Sequence, residues 1–116
     1  MIQKETVCNV ADNTGVSRVR IFDIKKKGVI GSKVVFSVLK LRRLSVTKIK
    51  RGDVERGILV RSSKKIMRVD GSSICFDSNE ISFINRRNMP KAKRIYGPVP
   101  RELGRSKFFA ISSVVF

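Results

Sequence analysis

The stretch Arg18-Val19-Arg20-Ile21 alternates cation and apolar side chain without a break. A period of two marks a strand with one face buried and the other in water, and it returns along most of the chain. The phase slips at Phe22-Asp23-Ile24, which predicts a β-bulge or a strand that changes its buried face. Val34 to Leu41 and Val54 to Val60 are further β-branched runs, the second with Gly57 at its middle as a candidate bend. Ser73 to Phe76 and Ile81 to Ile84 read as two short strands, separated by the turn chemistry of Asp77-Ser78-Asn79. Asp70-Gly71 marks another tight turn. With a short apolar start at Val7 and Val10, this gives about six short strands, the pattern of a small barrel or sandwich. Helix signal is weak until Pro100-Arg101-Glu102-Leu103, where proline stands in a first-turn position. Phe108, Phe109 and Ile111 then offer apolar residues to dock the tail on the barrel.

Charge constrains function more than fold. The 116 residues carry 26 Lys and Arg against 9 Asp and Glu, a net charge of +17, while 41% of residues are hydrophobic. That is enough apolar content for one folded domain, and enough charge that the working state is a neutralised one. The cations run from Arg18 to Lys107 instead of gathering on one amphipathic segment, which favours nucleic acid over an anionic membrane. They crowd the turns: Lys25-Lys26-Lys27, Arg42-Arg43, Lys48 to Arg51, Lys64-Lys65 with Arg68, Arg86-Arg87, and Lys91 to Arg94. Basic loops on a compact β domain make several separate phosphate contacts. Aromatic residues are few, and Phe36, Phe76 and Phe83 fall in strand phase as core, so a base-stacking platform is not indicated. Docking to folded RNA by shape fits better. Tyr96, beside Arg94, is open to two readings, stacking on a base or packing against the protein.

Enzyme chemistry finds little support. The chain has no His, the commonest general base, and no phosphate-binding glycine loop. Asp12, Asp53, Asp70 and Asp77 each adjoin turn residues and read as turn caps. Cys8 and Cys75 are too few for a disulfide scaffold or a zinc site and read as buried structural thiols. We expect no enzyme activity, no cofactor and no metal.

Six stretches are specific in order and spacing: Met1-Ile2-Gln3; Asn9-Val10-Ala11-Asp12-Asn13-Thr14-Gly15; Lys50-Arg51-Gly52-Asp53-Val54; Val60-Arg61; Asp70-Gly71-Ser72 with Ile74 to Asn79; and Arg94-Ile95-Tyr96-Gly97-Pro98-Val99-Pro100-Arg101-Glu102-Leu103. Together they resemble the universal large-subunit ribosomal protein number fourteen, over nearly the whole chain. The resemblance implies a mainly β fold: a small five-stranded β-barrel with a projecting β-hairpin and a short C-terminal helical region. On this reading the chain is one ribosomal-protein domain, with residues 1–88 as barrel and 89–116 as C-terminal loop and short helices. The implied partners are large-subunit rRNA, ribosomal proteins nineteen and three, small-subunit rRNA across the subunit interface, and a ribosome-silencing factor that docks close by. A membrane and a small-molecule substrate are not expected.

The chain departs from the family pattern at several places. The loop around Lys25 to Lys33 is shorter than usual in bacteria, which predicts a trimmed hairpin. Val69 replaces a common proline, Ala92-Lys93 replace Gly-Thr, and Ala110 replaces a lysine. The changes at Lys93 and Ala110 weigh against silencing-factor docking. The match begins at Met1, from which no presequence is expected, and Lys, Ile, Ser and Phe are abundant, as in proteins of A+T-rich organelle genomes. The expected location is the mitochondrial matrix, in the mitoribosome, with bacterial cytoplasm or plastid as the alternative.

From these features Arg18, Arg20, Arg43, Lys50, Arg51, Arg61, Lys64, Lys65 and Arg68 are expected to hold rRNA phosphates. By the resemblance, Arg94, Tyr96, Arg101 and Arg105 are expected on the intersubunit face, where Gly97-Pro98 forms a bend that carries the arginines away from the barrel. Asp12, Asn13 and Gly15 are expected to form a turn that closes the barrel. The alternative function is a free-standing basic RNA-binding module that acts outside the ribosome.

Overall fold

The structure, a computed structural model, describes residues 6–24, 30–42, 49–103 and 106–115. Strands β1 (Val7–Val10), β2 (Val16–Ile24), β3 (Lys33–Leu41), β4 (Val54–Arg61) and β7 (Glu80–Phe83) form a closed barrel in the order β1-β2-β3-β4-β7. Four of the seams are antiparallel; the fifth, β1 against β7, is parallel, with Asn9 opposite Glu80 and Val10 opposite Ile81. Closure leaves the barrel without a free edge. Two small two-stranded sheets lie outside it: the hairpin β5 (Ile66–Met67) with β6 (Ser73–Ile74), and the parallel pair β8 (Ile95–Val99) with β9 (Ser112–Val115). A 3-10 helix (Arg101–Leu103) and the helix α1 (Ser106–Ile111) connect that last pair.

The period of two does what it predicted on β2. Val19 and Ile21 are fully buried and Arg18 and Arg20 exposed. The slip after Ile21 is a register shift against β3, between Ile21 opposite Phe36 and Asp23 opposite Val35. Phe36 and Phe83 meet edge to face in the barrel, ring centroids 4.9 Å apart, a favoured aromatic geometry. Gly57 stands between them in the ladder, opposite Val34 and Phe83 in unbroken register. It is not a bend. A Cβ there would meet Phe36 Cε1 and the Ser82 carbonyl, each at 2.7 Å, so the missing side chain is the space the ring occupies.

A second apolar cluster lies on the barrel's outer face. Ala11, Ile58, Val60 and Ile84 are covered there by Ile95, Val99, Leu103 and Phe108 from the C-terminal part of the chain. Strand β4 is therefore buried on both faces from Gly57 to Arg61, with Leu59 in the barrel cluster and Ile58 and Val60 in the outer one. A continuous apolar run is what such a strand requires.

Three further expectations are corrected. Cys8 is buried, but Cys75 is exposed, because β6 ends at Ile74 and the residues after it lie outside any ladder. Phe76 is only half-buried for the same reason. Gly97-Pro98 is not a bend leading away from the barrel; both residues belong to β8, where the pairing with β9 shifts register between Ile95 and Pro98. Lys25 to Val29 lie outside the described residues, and with them most of the segment expected to be trimmed.

Candidate nucleic-acid interface

Asp12 organises the seam where the barrel closes. Its carboxylate is fully buried and accepts four hydrogen bonds. Thr14 donates its amide at 3.2 Å and its hydroxyl at 2.6 Å to Oδ1. The Ser82 hydroxyl at 3.1 Å and the Phe83 amide at 2.7 Å donate to Oδ2. One oxygen thus shapes the turn after β1 and the other reaches β7. Gly15 completes the turn with φ of 89°. The Asn13 side chain accepts the Lys93 amide at 3.2 Å, and the Tyr96 amide donates to the Ala11 carbonyl at 2.7 Å. The Ala-Asp-Asn-Thr-Gly stretch therefore anchors both the barrel seam and the start of β8.

Other aspartates also serve turns. Asp53 accepts the Lys50 amide at 2.8 Å, holding Lys50 and Arg51 outward on the turn before β4. Asp70 accepts the Ser72 amide at 3.0 Å and hydroxyl at 2.6 Å, and these bonds lower its carboxyl below the usual range.

The cations expected on RNA divide into distinct groups. Arg18, Arg20, Lys50, Arg51, Lys64 and Lys65 are exposed. Arg18 stands directly opposite Lys40, another exposed cation, across the β2–β3 ladder. Like charges in that position repel, and a phosphate over them relieves the repulsion. Arg68 is partly buried and grips Glu102 with two nitrogens, Nε to Oε1 at 2.6 Å and Nη2 to Oε2 at 3.2 Å. That grip lowers the Glu102 carboxyl and raises the guanidinium. It ties the β5–β6 hairpin to the 3-10 helix. Arg43 and Arg105 lie outside the described residues.

Arg61 is turned inward, against the expectation of a phosphate ligand. It is 6% exposed. Its Nε lies 2.6 Å from Glu80 Oε2, with the N–H off that line, so the attraction is ionic rather than a directed hydrogen bond. Its Nη1 donates to the Pro98 carbonyl at 3.2 Å. Gly97 has φ of 85°, and a Cβ built there would overlap Arg61 Nη1. The glycine is needed twice, for its conformation and for the guanidinium against it. Sequence reasoning missed this because Val60-Arg61 reads as an ordinary alternation, and only the outer cluster makes both faces of β4 interior.

On the face expected to meet the small subunit, Arg94, Tyr96 and Arg101 are all exposed. The Tyr96 ring has two guanidinium neighbours, Arg42 at 5.4 Å and Arg94 at 5.8 Å from its centroid. Both lie within cation–π range, so the ring packs against cations of its own chain while remaining 43% exposed. Arg42 also donates Nη2 to the Val10 carbonyl at 3.2 Å. Sequence reasoning gave Arg42 no role at this face; its place in the Arg42-Arg43 pair was the only signal.

The geometry is that of a closed β-barrel with structural carboxylates spent on turns and cations displayed on several faces. The family model for ribosomal protein L14p/L23e matches residues 1–115, and the chain belongs to that family, whose members are structural constituents of the large ribosomal subunit.

Proposed function

We propose that this protein holds large-subunit rRNA with the exposed cations of its barrel and presents a second basic face to the small subunit. On the barrel, Arg18 and Arg20 of β2, Lys50 and Arg51 of the turn before β4, and Lys64 and Lys65 after β4 are the phosphate ligands. Arg61 is not among them, being committed to Glu80 and Pro98. Arg68 serves first as a tie to Glu102. Arg94, Tyr96 and Arg101 make the intersubunit face and the bridge, with Arg42 joining them. Ribosomal proteins nineteen and three are the neighbouring chains. The mitoribosome of the mitochondrial matrix is the proposed location, on composition.

The observation that carries this reading is the exposed like-charge pair Arg18 and Lys40, side by side in the ladder. A fold that places two exposed cations opposite each other, even at a register irregularity, favours neutralisation from outside. The test is retention and joining. The chain should stay with purified large subunits at about 0.5 M salt, where a purely electrostatic binder is released. Arg94→Ala should reduce subunit joining in sucrose gradients while leaving the thermal midpoint of the free protein unchanged. Release at that salt would support the free-standing module instead, and unchanged gradients would remove Arg94 from the interface.

A further inference from the structure

Arg56 lies between two clefts at one end of the barrel. It stands on β4, exposed, opposite Val35 of β3. The first cleft, about 200 Å³, has Val34, Val35 and Ile84 as apolar lining and Asp23, Lys33 and Asn88 as polar groups. The second, about 300 Å³, is lined by Arg86, Lys91, Glu55 and Asn85. Arg56 and Ile84 belong to both.

The loop after β7 is held in one shape. The Asn85 side chain accepts the Arg87 amide at 2.9 Å and the Met89 amide at 3.1 Å. The Asn88 amide donates to the Asn85 carbonyl at 3.0 Å, and Asn88 takes φ of 61°, the left-handed region. Such a turn fixes the backbone from which Arg86 and Asn88 project, which lowers the ordering cost of binding. Among the described residues, neither Arg56 nor Arg86 has an ion-pair partner, whereas Lys91 lies 3.5 Å from Glu55.

We infer that the paired clefts flanking Arg56 hold one unpaired nucleotide of RNA, its base in the first cleft and its phosphate in the second. This deepens the rRNA-binding reading and rests on it. Each cleft is at or below the ~300 Å³ lower bound of ordinary small-molecule pockets, and suits a ring or a phosphate rather than a larger ligand. A guanidinium plane is a stacking surface for a base and a fork for phosphate oxygens, and Arg56 borders both compartments. Asp23 offers acceptors, and Asn88 a donor and an acceptor, to the edge of a base. A duplex cannot use this concavity, because its bases are stacked inside. An unpaired loop or bulge can, and such nucleotides are the usual targets of specific RNA recognition.

The experiment uses large subunits assembled with the full chain, either wild type, Arg56→Ala or Asp23→Asn, probed with dimethyl sulfate and a 2′-hydroxyl acylating reagent. With the wild type, one unpaired nucleotide should be protected. In Arg56→Ala particles its reactivity should rise about tenfold, the scale expected for loss of a stacking partner, while protections by Arg18 of β2 and by the loop at Lys64 persist. Asp23→Asn should expose the base edge of the same nucleotide while its backbone stays protected. A photo-crosslinker placed at position 86 should join RNA. If no nucleotide responds to Arg56→Ala and the crosslinker joins a neighbouring protein, the clefts are a protein contact and the inference falls alone. If the wild-type chain protects no rRNA anywhere, the broader RNA-binding reading falls with it.

Discussion

Arg61 and Gly97 occupy one site: the guanidinium of the first lies where a side chain of the second would be. The Gly-Pro of the Arg94 to Leu103 stretch is thus a receptor for an arginine from the barrel wall. Gly97→Ala must push that guanidinium off Glu80 and accept a left-handed backbone. A loss of about 2 kcal/mol in urea unfolding is expected. Arg61→Met leaves the Glu80 carboxylate without its partner and should cost about 3 kcal/mol. If the two losses simply add in the double variant, the residues are uncoupled and this arrangement is wrong.

Asp12 satisfies donors on both sides of the barrel seam. Asp12→Asn keeps the shape but places an NH2 where an acceptor is needed, so at least one buried donor goes unpaired. About 2 kcal/mol of stability should be lost, read as a fall in thermal midpoint of roughly 10 °C for a domain of this size. A midpoint within a degree of wild type would show that the seam does not depend on the carboxylate.

The two cysteines should differ sharply toward a thiol reagent. Cys75 is exposed and should be labelled at once by a disulfide reagent at pH 8. Burial pushes the Cys8 thiol up to about 11, so it has neither access nor thiolate. One thiol should react in the folded protein and two in denaturant; two fast thiols in the folded protein would contradict the burial of Cys8.

Acid should loosen the β5–β6 hairpin. The Arg68 hydrogen bonds hold the Glu102 carboxyl below its ordinary range. A carboxyl depressed in the fold contributes its stability above its unfolded pKa, and loses it as pH falls through the folded one. The tie therefore holds at neutral pH and is lost below the ordinary glutamate range. Carbon-detected titration should give Glu102 a depressed midpoint that moves up toward the unperturbed value in Arg68→Ala. An identical midpoint in the two proteins would mean that the pair does not form in solution.

Strands β1, β2 and β3 of the barrel were legible in the sequence because each buries one face, and a period of two records that directly. The bulge after Ile21 was legible for the same reason, as a slip in phase. Strands β8 and β9 were not. Ile95 to Val99 contains Gly-Pro, which reads as a turn, and its strand geometry depends on β9 and on Arg61 from a distant strand. Ser112 to Val115 gives no alternation. The basic loops were legible as charge, but a charge does not reveal its partner: Arg61 and Arg68 look like Arg18 and Arg20 until Glu80 and Glu102 are placed beside them. Arg56 carried no signal at all, because a cleft is a property of β3, β4 and the loop after β7 together.

The parallel seam between β1 and β7 bears on how the molecule is made. Strand β1 waits long for this seam, since Asp12 and the Phe83 amide it accepts are 71 residues apart. Until that distance has been translated, a nascent chain carries the cations of β2 and of the turn before β4 with no closed wall behind them. Pairings of such long sequence separation form slowly, and emergence at ~5–20 residues per second spreads the wait over several seconds.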